Sequence, residues 1–258
     1  MVYILLFIFG AMIGSFLNVC IWRMPNEESV VKPSSRCPYC KKPIQWFDNI
    51  PLLSFILLGA RCRYCKAKIS FRYPLVELLT ALLFIANYLF LGFTPKFFIY
   101  SAFECALIVG TFTDFMHYII PDEITLGGLA AGLIVSIVYP QLHNTPIFWK
   151  GFLYSLWGAA VGGSMIYATG FIGELIFKKE AMGGGDVKLM AMIGSVIGWK
   201  LVLLVFFLAP FFGAFIGIYL KFVKKIDIIP YGPYLSLATL IAIFWGEKIL
   251  GRFLCYGI

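Results

Sequence analysis

"GGGDVKLMAMIGSVIGWKLVLLVFFLAPFFGAFIGIYL", residues Gly183 to Leu220, opens on three glycines and a carboxylate, then runs on with only two lysines. A run this apolar has no place on a water-facing surface. It reads as two membrane segments, Val187 to Gly198 and Leu201 to Leu220. A span needs about 20 residues, so the first is short enough to be a half-span or a re-entrant piece. Similar runs recur at Val2 to Trp22, Leu75 to Phe93, Phe97 to Thr113, Glu123 to Tyr139, Gly151 to Phe177 and Gly232 to Leu250. With 61% hydrophobic and 13% charged residues among 258, a soluble globular protein is excluded. The expected fold is an all-α polytopic membrane protein of about eight transmembrane helices with a small cytoplasmic zinc-ribbon-like loop domain. The first run has no basic segment before it and no small-residue cleavage site, so it reads as a retained helix.

Orientation follows from Lys and Arg placement. With the N-terminus outside, 16 basic residues fall in interior loops and 5 in exterior ones. The expectation is a bacterial cytoplasmic-membrane protein with the N-terminus outside. The net charge of +8 then faces the cytoplasm, where anionic membrane lipid is the expected partner and nucleic acid is not. Three regions follow: 1–22 as the first span, 23–74 as a polar domain, and 75–258 as the remaining spans. No internal repeat stands out. Within the polar region Ile50 to Gly59 is apolar but too short to cross, and reads as an interfacial or loop-covered segment.

The polar region carries "CPYC" at Cys37 to Cys40 and "CRYC" at Cys62 to Cys65, with 21 residues between the pairs. A two-residue spacer lets both thiolates of a knuckle face one tetrahedral ion, and two knuckles complete a zinc site. Disulfides are disfavoured on the cytosolic side. A region of this size buries little core, so structural stapling by zinc is the default role. Cys20, Cys105 and Cys255 sit at no ligand spacing and read as packing residues.

Two aspartates mark the interior ends of spans: Asp114 in "TFTDFMHYIIPDEIT" and Asp186 after the glycines. Facing carboxylates share one proton, so one takes a proton from water while the other polarises a carbonyl. That is aspartyl-protease chemistry. Gly183, Gly184 and Gly185 would let a substrate backbone approach, and would allow positive φ. The competing reading is helix capping, and spacing alone leaves the two level for Asp186. Asp122 reads as an N-cap. Lys188 is placed to hold a carboxylate or a phosphate head group. Glu77 and Glu104 lie inside apolar runs and should face the bundle interior. His117 and His143 read as structural or surface residues. No phosphate-loop pattern or Rossmann fingerprint is present.

These motifs, together with "GSFLNVCIWRMP" (Gly14 to Pro25), "RYPLVELLTA" (Arg72 to Ala81) and "IPYGPYL" (Ile229 to Leu235), resemble the bacterial type IV prepilin leader peptidases. These are bifunctional membrane aspartyl proteases of the G-x-G-D class. The resemblance covers nearly the whole chain; only the stretch from Pro25 to Cys37 is short for the family. It implies that Asp114 and Asp186 are catalytic, that Asp122 is a companion, and that Gly183 and Gly185 belong to the site's G-x-G-D motif; Lys188, one turn on, is expected to support it. It implies pilin-like precursors as substrates, cut after a glycine on the cytoplasmic side, and contact with pilus or secretion machinery. It also implies N-methylation of the new terminus with S-adenosylmethionine, an activity tied to the cysteine region, with Glu77 a candidate contributor. The alternative from another class is a proton- or cation-coupled transporter using the same aspartates, which would be expected to carry inverted repeats and midplane sites.

Overall fold

The structure, a computed structural model, describes residues 1–178, 182–219 and 230–253. Lys179, Ala181, Lys221, Lys224, Lys225, Ile229 and Cys255 lie outside the described residues. Among the described residues eight α-helices occur in the order α1 (Val2–Arg23), α2 (Leu53–Leu57), α3 (Arg72–Leu91), α4 (Pro95–His117), α5 (Asp122–Val138), α6 (Phe148–Phe177), α7 (Gly184–Tyr219) and α8 (Gly232–Phe253). Among the described residues there is no β-strand, only isolated bridges between Arg36 and Pro43 and between Arg61 and Lys68.

Six helices, all but α2 and α5, are long and apolar enough to cross a membrane. The count differs from the expected eight at two places. α5 has 17 residues, short of the usual span. The two runs read at Val187 and Leu201 merge into α7, broken at Gly198 by non-helical angles of φ 79° and ψ 167°. The break is a reversal of direction. In a straight helix, residues 190 and 202 would be about 18 Å apart at about 1.5 Å per residue. Instead the Met190 carbonyl carbon and a Val202 methyl both lie 3.1 Å from where a Cβ on Gly162 would stand. Gly198 is required because few L-residues adopt its positive φ. The two arms of α7 therefore form a hairpin, and the first arm, 184–197, is the short segment that the sequence marked.

The chain divides into two compact units, 1–109 and 110–258, with the division inside α4. In the first unit α1 packs on α3 through Gly10 and Gly14. A Cβ at Gly10 would lie 2.7 Å from Ala81 Cα, and one at Gly14 2.6 Å from Glu77 Cα. Small residues four apart let two backbones meet in lipid, where van der Waals contact drives association. Asn18 fastens the same pair by donating to the Tyr73 carbonyl at 3.0 Å. Glu77 and Glu104 are buried as expected, 8% and 1% exposed. Glu104 accepts from Asn87 Nδ2 at 2.8 Å, and the same nitrogen donates to Ser101. The segment over Ile50 to Gly59 is not covered by the loop: Leu53, Ile56 and Leu57 of α2 are all exposed.

The second unit is built around α7. Gly158 on α6 faces Gly194 so closely that neither position has room for a side chain. Ser155 donates to the Ser195 carbonyl at 2.7 Å. On α5, Gly128 and Gly132 face Met192 and Ser195. His143 bonds Ser136 at 2.9 Å and lies against Gly198, which gives it the structural role expected of it. Leu189, Met190, Met192 and Ile193 have no exposed surface. The first arm of α7 is the buried centre of this unit, and it carries Asp186 at its mouth.

Candidate active site and metal centre

Asp114 lies one turn before the end of α4 and is buried. Its Oδ2 accepts the backbone N–H of Gly232 at 2.9 Å. Gly232 is the first residue of α8, whose opening N–H groups lack helical partners. The next residue, Pro233, has no N–H to offer. Asp114 thus answers one of the few open donors at this helix end. Asp186 stands in the first turn of α7, half-buried, with its N–H on the Gly183 carbonyl at 3.1 Å. Gly232, which bonds Asp114, and Gly185, next to Asp186, both pack against the same side chain, Ile120. The structure therefore brings together the two carboxylates singled out in sequence, from α4 and α7.

Ile120 is the spacer among these elements. A Cβ on Gly110, Gly185 or Gly232 would meet Ile120 at 3.5, 3.5 and 3.1 Å respectively. One buried side chain thus separates α4, the mouth of α7 and the start of α8. Neither Ile120 nor Gly232 was singled out by chemistry in the sequence, because an apolar loop residue and a glycine carry no charge signal. The only hint was the "IPYGPYL" similarity.

Two expectations about this region need correction. Asp122 is not the N-cap of α5: that position is Pro121, and no side-chain cap bond forms. The Asp122 carboxylate instead takes both bonds from Lys188 Nζ, at 2.7 and 2.9 Å. Of the two partners read for Lys188, the carboxylate is the one found. The pair ties the first turn of α5 to α7 one half-turn beyond Asp186. The glycines differ as well. Positive φ among described glycines occurs at Gly59, Gly92 and Gly198, not at Gly183, Gly184 or Gly185. Gly183 and Gly184 are exposed, and a Cβ at Gly184 would meet nothing within 4 Å. Their contribution is open space beside Asp186 rather than unusual backbone.

In the first unit the four knuckle cysteines converge. One ligand atom from each of Cys37, Cys40, Cys62 and Cys65 lies within 4.8 Å of the others. A tetrahedral thiolate site with metal–sulfur bonds of about 2.3 Å spaces its sulfurs about 3.8 Å apart. The Cys37 and Cys65 sulfurs are 3.8 Å apart, so the residues fit a metal ion. Local backbone explains the convergence. Cys37 N–H bonds the Lys42 carbonyl and Lys41 N–H bonds the Cys37 carbonyl; Cys62, Lys66 and Ala67 repeat the pattern. Lys41 and Lys66 both have φ 58°. The knuckles are two copies of one turn, "CPYCKKPI" and "CRYCKAKI". This corrects the expectation of no internal repeat; the match was too short to register as one. The backbone N–H groups of Cys65 and then Tyr64 hold the Cys62 thiol down at about 6. Arg63 grips Asp48 with two bonds of 2.7 and 2.6 Å and keeps its carboxyl below the usual carboxylate range. That clamp ties the second knuckle to the turn between the copies.

Glu77 has its own partner. Its Oε2 accepts the Leu52 N–H at 2.7 Å. Leu52 has φ 62° and ψ −47°, and Leu53 N–H reaches back to the Pro51 carbonyl at 2.6 Å. This is the rare, strained form of the γ-turn. A span carboxylate thus holds a strained turn of the polar loop.

Comparison with known proteins follows this division. A sequence model described as Type IV leader peptidase family matches residues 101–218. Another, described as Bacterial Peptidase A24 N-terminal domain, matches residues 8–91. A prepilin leader peptidase/N-methyltransferase of Aeromonas hydrophila is 37% identical over 276 residues, covering 95% of this chain and 91% of the relative. The chain belongs to the type IV leader peptidase family. The Pseudomonas aeruginosa relative of the same name is 33% identical, with 95% and 91% covered. That of Myxococcus xanthus is 40% identical over 215 residues, 83% of this chain but 62% of the longer relative. No solved structure matches. Six apolar helices in a member of this family make a multi-pass inner-membrane protein. The leader peptidase match contains Asp114, Asp122, Asp186 and Lys188; the N-terminal match contains the four cysteines and Glu77.

Proposed function

We propose that this leader peptidase family member removes the basic leader of pilin-like precursors after a glycine and methylates the new N-terminus. The observation that carries the reading is the pairing of Asp114, fixed by the Gly232 N–H, with Asp186 beside open glycines. One oxygen of Asp114 is held by Gly232 and the other is available to take a proton from water. Asp186 donates to the scissile carbonyl as the attacking water adds to that carbon; the proton taken by Asp114 then passes to the leaving nitrogen, and collapse of the resulting diol returns one to Asp186. The dyad holds one proton before and after the cycle, so no covalent intermediate is needed. Gly183 and Gly185 leave room for an extended substrate backbone, and Asp122 with Lys188 steadies the mouth of α7.

Residues 23–74 form the zinc-binding domain in this reading, linked to the methyl-transfer activity, after a first span over 1–22. The peptidase occupies 75–258. Zinc is favoured over other metals by four thiolates on a tetrahedral spacing. S-adenosylmethionine supplies the methyl group. The excess of Lys and Arg in the loop of 23–74 supports an N-terminus outside, with cysteines and aspartates on the cytoplasmic side, where basic leaders also stay. Lipid headgroups and the pilus or secretion machinery are the expected neighbours. The transporter alternative has no support: the matching families and relatives are peptidases.

The test is mass spectrometry of a pilin-like precursor incubated with purified enzyme and S-adenosylmethionine. Loss of the leader and a gain of one methyl are expected. Asp114→Asn and Asp186→Asn should each remove the first change while the protein stays inserted. Cleavage by either variant at the normal rate would reject the dyad.

A further inference from the structure

Methyl transfer requires a place for its donor, and the first unit offers one. A cleft of about 400 Å³ opens between one face of α1 and the loop that follows it, within the size range of small-molecule sites, about 300–1,000 Å³. Its lining includes Ser15, Phe16, Arg23, Ser34, Ser35 and Asn49. The polar groups gather toward the Arg23 end, and Phe16 lies two turns back along α1.

Arg23 is the decisive residue. It is only 7% exposed. Its two terminal nitrogens donate to the Ser29 and Pro33 carbonyls at 2.8 and 2.7 Å. Both acceptors are neutral, and among the described residues no carboxylate pairs with it. A guanidinium has five N–H donors, and a buried cation without a counter-charge is costly. What this cleft lacks is an anion. Ser15 on its wall also lies beside the Glu77 carboxylate, which holds the strained Leu52 turn. Asn49 sits three residues before that turn and lines the cleft. Backbone held in a sparsely populated conformation concentrates at functional sites. Here it adjoins a cleft lined by a buried cation, four further polar side chains and an aromatic ring.

We infer that this cleft binds the methyl donor, with Arg23 taking the amino-acid carboxylate, Ser34, Ser35 and Asn49 meeting its hydroxyl and amino groups, and Phe16 covering the adenine. The inference rests on the methyl-transfer reading above. An anionic phospholipid presents the same chemistry, an anion joined to an apolar body. The donor is favoured because four of these residues, Arg23, Ser34, Ser35 and Asn49, belong to the region 23–74 that the proposed function links to methyl transfer.

The test uses full-length protein in nanodiscs of phosphatidylcholine and measures binding of radiolabelled S-adenosylmethionine with S-adenosylhomocysteine as competitor. Arg23→Gln removes the cation. Ser34→Trp fills the cleft from an exposed position and leaves the Arg23 bonds alone. Each should weaken donor binding at least tenfold, while metal content and the rate of leader removal stay within twofold of the parent. Donor binding that survives Ser34→Trp would overturn the assignment. So would binding displaced by added phosphatidylglycerol but not by S-adenosylhomocysteine, which would give the cleft to lipid. If the parent protein neither binds the donor nor methylates, the methyl-transfer reading itself fails, a result distinct from either variant's.

Discussion

Replacing Gly232 by alanine tests the dyad geometry without touching either aspartate. The added methyl would stand 2.8 Å from Asp114 Oδ2 and 3.1 Å from Ile120 Cδ1. Ordinary contacts of this kind fall at about 3.5 Å, so the carboxylate must retreat by about 0.7 Å. Ile120 blocks the other direction, since it already lies against Gly185 and Gly110. The 2.9 Å bond from the Gly232 N–H then lengthens to about 3.6 Å, beyond a useful hydrogen bond. A bond to a charged group contributes about 1.5–3 kcal/mol. At about 1.4 kcal/mol per tenfold, kcat/KM for leader removal should fall roughly 10- to 150-fold. Gly232 has no positive φ, and alanine is the better helix former by about 1 kcal/mol. Loss of folding is therefore not the expected cause. The assay is the rate of leader removal from a pilin-like precursor in nanodiscs, with thermal stability and methylation of pre-cleaved substrate as controls. An alanine variant that is stable and cleaves at the parent rate would refute the claim that Gly232 fixes Asp114.

Further outcomes follow from the other contacts. Asp114→Asn and Asp186→Asn should each lower cleavage by at least about 10²–10⁴, the usual range for a lost acid–base group, as read by precursor conversion over days. Lys188→Met and Asp122→Asn should each lower kcat/KM by less than about tenfold, because the pair is 40% and 57% exposed and exposed pairs contribute about 1 kcal/mol or less. The double variant should be no worse than either single one, and additive losses would show that the two act separately. Metal removal by chelator, or Cys37→Ser, should open 26–71 to protease, and unchanged digestion would argue against a stapling metal. In metal-stripped protein Cys62 should alkylate first, with its rate half-maximal near pH 6 rather than at the ordinary thiol value of about 8.5. The sign follows from the thiolate being the reactive form, so lowering the pH through 6 quenches it.

The candidate site was legible where its chemistry carries charge or sulfur. Asp114 and Asp186 were visible because a carboxylate in an apolar run needs a reason. The two knuckles were visible because ligand spacing is local. Asp122 was misassigned to capping because its partner Lys188 is 66 positions away, and a helix start looks the same with or without that partner. Gly232 and Ile120 gave no chemical sign, since their parts in the site are a backbone donor and a volume.

The sequence alone determined that the chain is helical and membrane-embedded, that four thiols have the spacing of one site, and that two carboxylates mark the ends of apolar runs. Those properties follow from hydropathy, run length and local spacing, each readable along the chain. The tertiary structure decided which helix starts face which carboxylate, where α7 turns back at Gly198, and how glycines on α1 and α6 bring backbones within contact. Such matches depend on shape complementarity between distant segments. No short-range pattern encodes it, because a glycine reads the same whether its missing side chain makes room for solvent, for another helix or for a catalytic oxygen.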